Sequence, residues 1–165
     1  MSERDGGFAV YFAKRSNAMR GTAYLLCGDW HRAEDLVQTS FVKLYRVWRR
    51  VAKEPARDAY LRKIILRTFL DETRRGFFHR EEVRGEPVDV AAPNPGSTED
   101  QLVLLRALTR VPPKQRAVLV LRYWEDMSVE DTAKAMRCSE GTVKSQSARG
   151  LQTLRALVPE LELTI

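Results

Sequence analysis

The stretch Gly85-Glu86-Pro87-Val88-Asp89-Val90-Ala91-Ala92-Pro93-Asn94-Pro95-Gly96-Ser97 constrains the fold of this chain more than any other. Its three prolines and two glycines break any helical period, because proline withholds an N–H and glycine resists ordering. It reads as a flexible linker over 85–97, between a first part, 1–84, and a second part, 98–165. Both parts are rich in helical spacing, and neither shows an internal repeat or strand-like alternation of useful length. The expected fold is all-α, two small helical domains joined by that linker.

In the first part, Phe8, Tyr11, Phe12, Ala18, Met19, Thr22, Ala23 and Leu26 form one helical stripe, with Arg15 a polar intrusion. Gly28-Asp29 ends it or opens a turn. A cleaner stripe follows at Ala33, Leu36, Val37, Ser40, Phe41, Leu44, Tyr45 and Trp48. Its opposite face carries Glu34, Asp35, Gln38, Thr39, Val42, Lys43 and Arg46. Pro55 interrupts the next connection, and Asp58 is expected to N-cap a third helix. There Leu61, Ile64, Ile65, Thr68 and Phe69 face a core, with Arg62, Lys63, Arg67, Arg74 and Arg75 outward or lateral. A fourth element is expected from the N-terminal arm or from the basic run after Gly76.

The second part opens with Ser97 or Thr98 as N-cap and acids in the first turn. Pro113 can start the next helix, where its missing N–H is no loss. That helix runs through Arg116 and Val118 to Tyr123 or Trp124. Ser128-Val129-Glu130-Asp131 then has the spacing of a capping box, and Ser139 is a good N-cap. Between them, residues 129–136 form a short helix burying Val129, Thr132, Ala133 and Met136, followed by a tight turn at Arg137-Cys138. This reads as a helix-turn-helix, a motif in which the N-terminal part of the second helix enters the DNA major groove; the alternative is a plain helical hairpin with a solvated polar face. Its outward residues are Ser139, Glu140, Thr142, Lys144, Ser145, Gln146 and Arg149. They combine hydroxyls, an amide that can read adenine and long cations.

Charge permits a polyanionic partner. The net charge is +6, with +6 on residues 1–86, −3 on 87–100 and +3 on 101–165. Two basic blocks flank an acidic connector. No stretch approaches the roughly 20 apolar residues of a membrane span, and the charged N-terminus argues against a secretory signal. Cys27 and Cys138 lack metal-ligand or disulfide-framework spacing, which fits a reducing cytoplasm. Neither His31 nor His79 sits in a triad or metal motif, and no glycine-rich phosphate loop occurs, so no enzyme and no cofactor are expected.

Residues 116–128 together with Cys138-Ser139-Glu140-Gly141-Thr142-Val143-Lys144-Ser145 resemble region 4 of the extracytoplasmic-function (ECF) sigma factors of bacterial RNA polymerase. Ala33-Glu34-Asp35-Leu36-Val37-Gln38-Thr39-Ser40-Phe41 looks like their region 2.2. Tyr60-Leu61-Arg62-Lys63-Ile64-Ile65-Leu66 through Leu70-Asp71-Glu72-Thr73-Arg74-Arg75 looks like regions 2.3 and 2.4. Thr22-Ala23-Tyr24-Leu25-Leu26-Cys27-Gly28-Asp29 is similar to an actinobacterial, SigE-like subgroup. The likeness covers nearly the whole chain, in order, across the linker.

The resemblance implies a promoter-reading polymerase subunit. Asp35, Gln38, Thr39 and Val42 would dock on the coiled coil of the core polymerase β′ subunit. Tyr60, Lys63, Arg67 and the loop from Arg50 to Asp58 would hold a base extruded from the −10 element. Arg62, Arg74 and Arg75 would contact strand phosphates. Arg67 stands where many relatives have asparagine, and it could instead pair with Asp71 four residues on. The second part would read the −35 element and touch the β flap. There Gln146 replaces a common arginine, Arg149 reaches a phosphate, and Glu140 either repels the backbone or accepts from a cytosine. The connector would thread the polymerase cleft, and many relatives are held by an anti-sigma factor. The chain is expected to end soon after Leu157 with no appended regulatory domain. A stand-alone helix-turn-helix regulator would explain the second part, but not the docking helix and arginine-rich helix before the linker.

Overall fold

The computed structural model describes residues 2–51, 53–80 and 98–159. The linker expected over 85–97 lies outside the described residues. Helix α1 spans Glu3–Cys27, α2 Trp30–Arg46 and α3 Glu54–Arg80. In the second part, α4 spans Glu99–Leu108, α5 Pro113–Leu119, α6 Val129–Met136 and α7 Glu140–Leu157. A π-helical turn, Val120–Trp124, continues α5. Among the described residues there is no strand, as the all-α expectation requires.

Local chemistry sets the ends of these helices. Ser2 and Asp5 form a capping box at the start of α1, satisfying N–H groups that a helix leaves orphaned. Gly28 closes α1 at φ 74°, a left-handed geometry that suits glycine. Asp29 then caps α2, its Oδ1 accepting from the His31 N–H at 2.8 Å. The result is a tight α1–α2 hairpin. The α2 stripe is buried as its spacing predicts: Ala33, Leu36 and Leu44 are fully buried, and Phe41 nearly so. Phe8, Tyr11 and Phe12 of α1 meet Phe41 and Trp48 in edge and tilted ring contacts 4.8–6.2 Å apart, which favours a defined packing over a greasy one.

Three sequence expectations for the first part change. Its described residues hold three helices, not four, because the N-terminal arm belongs to α1 and residues 77–80 extend α3. Pro55 lies inside the first turn of α3, where proline is tolerated. Asp58 is therefore no N-cap. It is a buried residue one turn into α3, accepting from the Tyr11 hydroxyl at 2.5 Å and lying 2.7 Å from Arg15 Nη2. That ion pair explains the polar intrusion in the α1 stripe: the carboxylate of α3 needs a cation from α1 once it leaves water.

In the second part Thr98 caps α4 with Gln101 in a reciprocal box, and Pro113 opens α5. The π-turn bonds Glu125 N–H to Val120 O at 3.0 Å and Met127 N–H to Leu121 O at 2.9 Å. This wide turn, a local widening of the helical ladder, leaves Tyr123 and Trp124 facing solvent, Trp124 at 61% exposure. Ser128 and Ser139 cap α6 and α7, accepting from the Asp131 and Thr142 N–H groups at 3.0 Å each. Thr132 and Ala133 are buried under α7, whereas Val129 and Met136 are half-buried.

The two parts pack together. One continuous apolar cluster runs from Tyr11 of α1 through Phe69 of α3 to Leu119, Leu121 and Leu154. Arg116 of α5, itself buried, donates to the Leu26 carbonyl at 2.5 Å and to the Thr109 and Val111 carbonyls at 2.9 and 2.8 Å. A Cβ on Gly28 would meet the Thr109 methyl at 2.6 Å, so the α1–α2 turn abuts the α4–α5 turn directly.

Candidate nucleic-acid interface

The helix-turn-helix owes its sharp bend to Arg137, which takes a left-handed φ of 54° between α6 and Ser139. This conformation costs a non-glycine residue about 1 kcal/mol. In return, the Cys138 N–H reaches the Ala133 carbonyl at 3.0 Å and α7 starts at once. Val143 points into the core with no exposure, which turns the residues around it outward. Ser139, Glu140, Thr142, Lys144, Ser145 and Arg149 are exposed, and Gln146 is half-buried. With 100° between residues, Thr142, Ser145 and Arg149 line one edge of the exposed arc and Lys144 the other. The Ser139 hydroxyl is 2.9 Å from that of Thr142, so both are partly committed to the cap. Lys144 and Arg149 are the long cations of this face.

The residues expected at the −10 element lie along α3, but not all are equally free. Lys63, Arg74 and Arg75 are exposed, while Tyr60, Arg62 and Arg67 are half-buried. Asp71 pairs with Arg74 at 2.9 Å, not with Arg67. Arg67 instead donates from Nη2 to the Ala135 carbonyl of α6 at 2.6 Å. Burial, reinforced by the neighbouring Arg137 guanidinium, pushes the pKa of Arg67 down from its ordinary value. Arg62 lies 2.9 Å from Glu125, just after the π-turn. Sequence reasoning did not single out Glu125 as a partner; no spacing rule links residues so far apart.

Two apolar grooves lie apart from these cationic faces. Asp35, Gln38, Thr39 and Val42 are all exposed on α2, with Val42 at 53%. Gln38 and Val42 border a groove of about 500 Å³ completed by Phe8, Phe12 and Tyr45. The α1 aromatics are thus part of this face, which the α2 pattern alone did not reveal. At its rim the Tyr45 hydroxyl donates to Asp5. This bond holds the Asp5 carboxyl below its usual range and raises the Tyr45 hydroxyl above its own. A second groove, about 180 Å³, is lined by Leu104, Leu108, Tyr123, Trp124 and Leu151 with Leu25 of α1.

The chain matches the family model for sigma-70 region 2 over residues 12–76 and that for sigma-70 region 4 over residues 101–154. It is 38% identical to an RNA polymerase sigma-E factor of Streptomyces avermitilis, over 90% of this chain and 83% of that one. It is also 35% identical to an ECF RNA polymerase sigma factor, SigE, of Mycolicibacterium smegmatis, over 81% of this chain and 54% of the relative. Its structure superposes with a TM-score of 0.76 on the sigma factor RpoE of Bartonella quintana, crystallised with the anti-sigma factor NepR. That match is 25% identical and covers 93% of this chain and 97% of the other. Helix α2 and most of α3 lie in the stretch matched to region 2, α6 and most of α7 in the stretch matched to region 4, and the chain belongs to the ECF group of the sigma-70 family.

Proposed function

We propose that this alternative sigma factor divides its work among three faces. The exposed side of α2, with Asp35, Gln38, Thr39 and Val42, docks on the β′ coiled coil of core RNA polymerase. Helix α3 takes the −10 element, with Tyr60, Lys63 and Arg67 around an extruded base and Arg62, Arg74 and Arg75 on phosphates. Helix α7 reads the −35 element through Thr142, Lys144, Ser145, Gln146 and Arg149, with Ser139 and Glu140 at its entry. The observation that carries this reading is the bend at Arg137, which presents the first turns of α7 outward over a buried Val143. The apolar groove beside Trp124 suits the β flap, because an exposed tryptophan next to leucines is a ready docking anchor.

Sigma factors are initiation factors rather than catalysts, and we assign this chain no catalytic residue or cofactor. Among the described residues no helix is long and apolar enough to cross a membrane. Polymerase and promoter are cytoplasmic, and we place the chain with them. An anti-sigma factor is a candidate partner, on the ground that the Bartonella relative was crystallised with one.

The test is transcription in vitro with purified core enzyme on genomic fragments, with start sites mapped. Initiation at defined promoters supports the reading; initiation no different from core alone refutes it. Paired Asp35→Ala and Gln38→Ala substitutions should lower core affinity about tenfold, or ~1.4 kcal/mol, with an unchanged circular dichroism spectrum. Unchanged core binding would remove the α2 face from the interface.

A further inference from the structure

We infer that Arg57 is a positioning residue for the −10 element: stacked on Trp48, it clasps the turn between α2 and α3 and presets that turn for an extruded base. The inference rests on the −10 reading of α3 and of the turn before it.

The cations of this turn and of the start of α3 are Arg49, Arg50, Lys53 and Arg57. The first three are exposed, whereas Arg57 is half-buried. Its guanidinium carbon lies 3.5 Å from the centroid of the Trp48 ring, and its Nε donates to the Val51 carbonyl. Its backbone N–H donates to the Lys53 carbonyl at 3.0 Å. One residue thus holds both flanks of the turn, Val51 by its side chain and Lys53 by its main chain.

Trp48 is a firm base for this clasp. It is buried, with the rings of Phe8 and Tyr11 of α1 at 5.4 and 5.3 Å. A Cβ on Gly7 would come within 3.7 Å of its Nε1, so the α1 backbone closes over the indole. The Val47 carbonyl accepts from the Arg50 and Val51 N–H groups at 2.9 and 3.3 Å. Asp58, next to Arg57, is tied to Tyr11 and Arg15. The turn is therefore anchored to all three helices of the first part.

Arginine suits the position because the stack uses the face of the guanidinium while the bond to Val51 uses an N–H at its edge. A lysine ammonium is a point charge that meets the ring or the carbonyl, not both. A loose turn would have to order as the base enters, which weakens binding and blurs the choice between bases. Arg57 acts through the turn it holds, with its guanidinium committed to the indole and the carbonyl.

The experiment assembles holoenzyme from core enzyme and the full chain as wild type, Arg57→Lys or Arg57→Ala. Each is titrated on fluorescent fork DNA carrying a mapped −10 element, with all four bases tried in turn at its unpaired positions. Both variants should lose about tenfold of the preference for the best base at one position, while binding keeps the wild-type salt slope. In the free proteins, amide exchange at Arg50 and Val51 should quicken about tenfold in both variants, with helical circular dichroism unchanged. A phosphate contact would behave differently: Arg57→Ala would lower the salt slope by about one and Arg57→Lys would restore it. That pattern overturns the clasp, as does wild-type base preference in Arg57→Lys or exchange no faster than in wild type. Loss of helical signal in Arg57→Lys, which keeps the charge and the aliphatic stem, makes Arg57 a folding residue and overturns the positioning role. A wild-type holoenzyme indifferent to base identity throughout the element refutes the −10 reading itself, and the role of Arg57 there falls with it, even where exchange finds the clasp intact.

Discussion

Two glycines in α7 offer a test in which structure and helix propensity give opposite signs. Gly150 lies in the interior of α7 and is buried against α5. Replacing an interior helical glycine by alanine favours the helix by about 1 kcal/mol. An added Cβ here, however, would stand 2.9 Å from Leu119 Cδ1, 3.1 Å from its Cγ and 3.5 Å from Gln115 Cβ. Because the Cγ is involved as well as the tip, rotation about χ2 alone cannot clear the space, so the buried Leu119 must repack or α7 must move from α5. Overpacking of this kind costs about 1–3 kcal/mol. With a central cost near 2 kcal/mol, Gly150→Ala loses about 1 kcal/mol net, which lowers the melting temperature by roughly 3 °C in a protein of this size.

Gly141 sits in the first turn of the same helix, and its Cβ would meet only Ser139 Oγ, at 3.8 Å. Gly141→Ala should therefore gain up to about 0.5 kcal/mol, less than an interior position gains. Melting of the two variants side by side by circular dichroism isolates the contact from the propensity. A Gly150→Ala protein that melts at or above wild type would refute the claim that the α5–α7 spacing is set by a bare backbone at this point.

Other outcomes follow from the same geometry. Lys144→Ala and Arg149→Ala should each weaken −35-dependent initiation and reduce the salt dependence of promoter binding by about one unit of slope; equal activity of both on such a promoter would remove α7 from the interface. Asp58→Ala takes away the acceptor of the Tyr11 hydroxyl and the partner of Arg15, and should cost about 2–3 kcal/mol in urea unfolding. A smaller loss than that of Gly150→Ala would contradict its buried role. Burial pushes the Cys27 thiol above its ordinary pKa, so less thiolate is present at any given pH. A thiol reagent at pH 8 should modify half-buried Cys138 first, and equal rates for the two cysteines would argue against the packing of α1 on α2.

What could be read from residues alone was what depends on near neighbours in the chain. Caps at Thr98, Ser128 and Ser139 act within a turn, the α2 stripe repeats within a helix, and the helix-turn-helix is a local motif. Each is legible because its physics spans three to eight residues. The exposed face of α2 and the exposed arc of α7 follow from the same periodicity. Asp58 shows the limit: as a local feature it resembles an N-cap, yet burial beside Tyr11 and Arg15 makes it an ion-pair partner. Arg67 could pair with Asp71 by spacing, and Asp71 takes Arg74 while Arg67 reaches a carbonyl of α6. Only tertiary packing decides these outcomes, within the first part for Asp58 and between the parts for Arg67, because a charge leaving water takes the partner the fold brings within about 3 Å, whatever its distance along the chain. The proline-rich segment signals a division in the sequence; the shared apolar core and the carboxylate of Glu125 determine how the described parts meet across it.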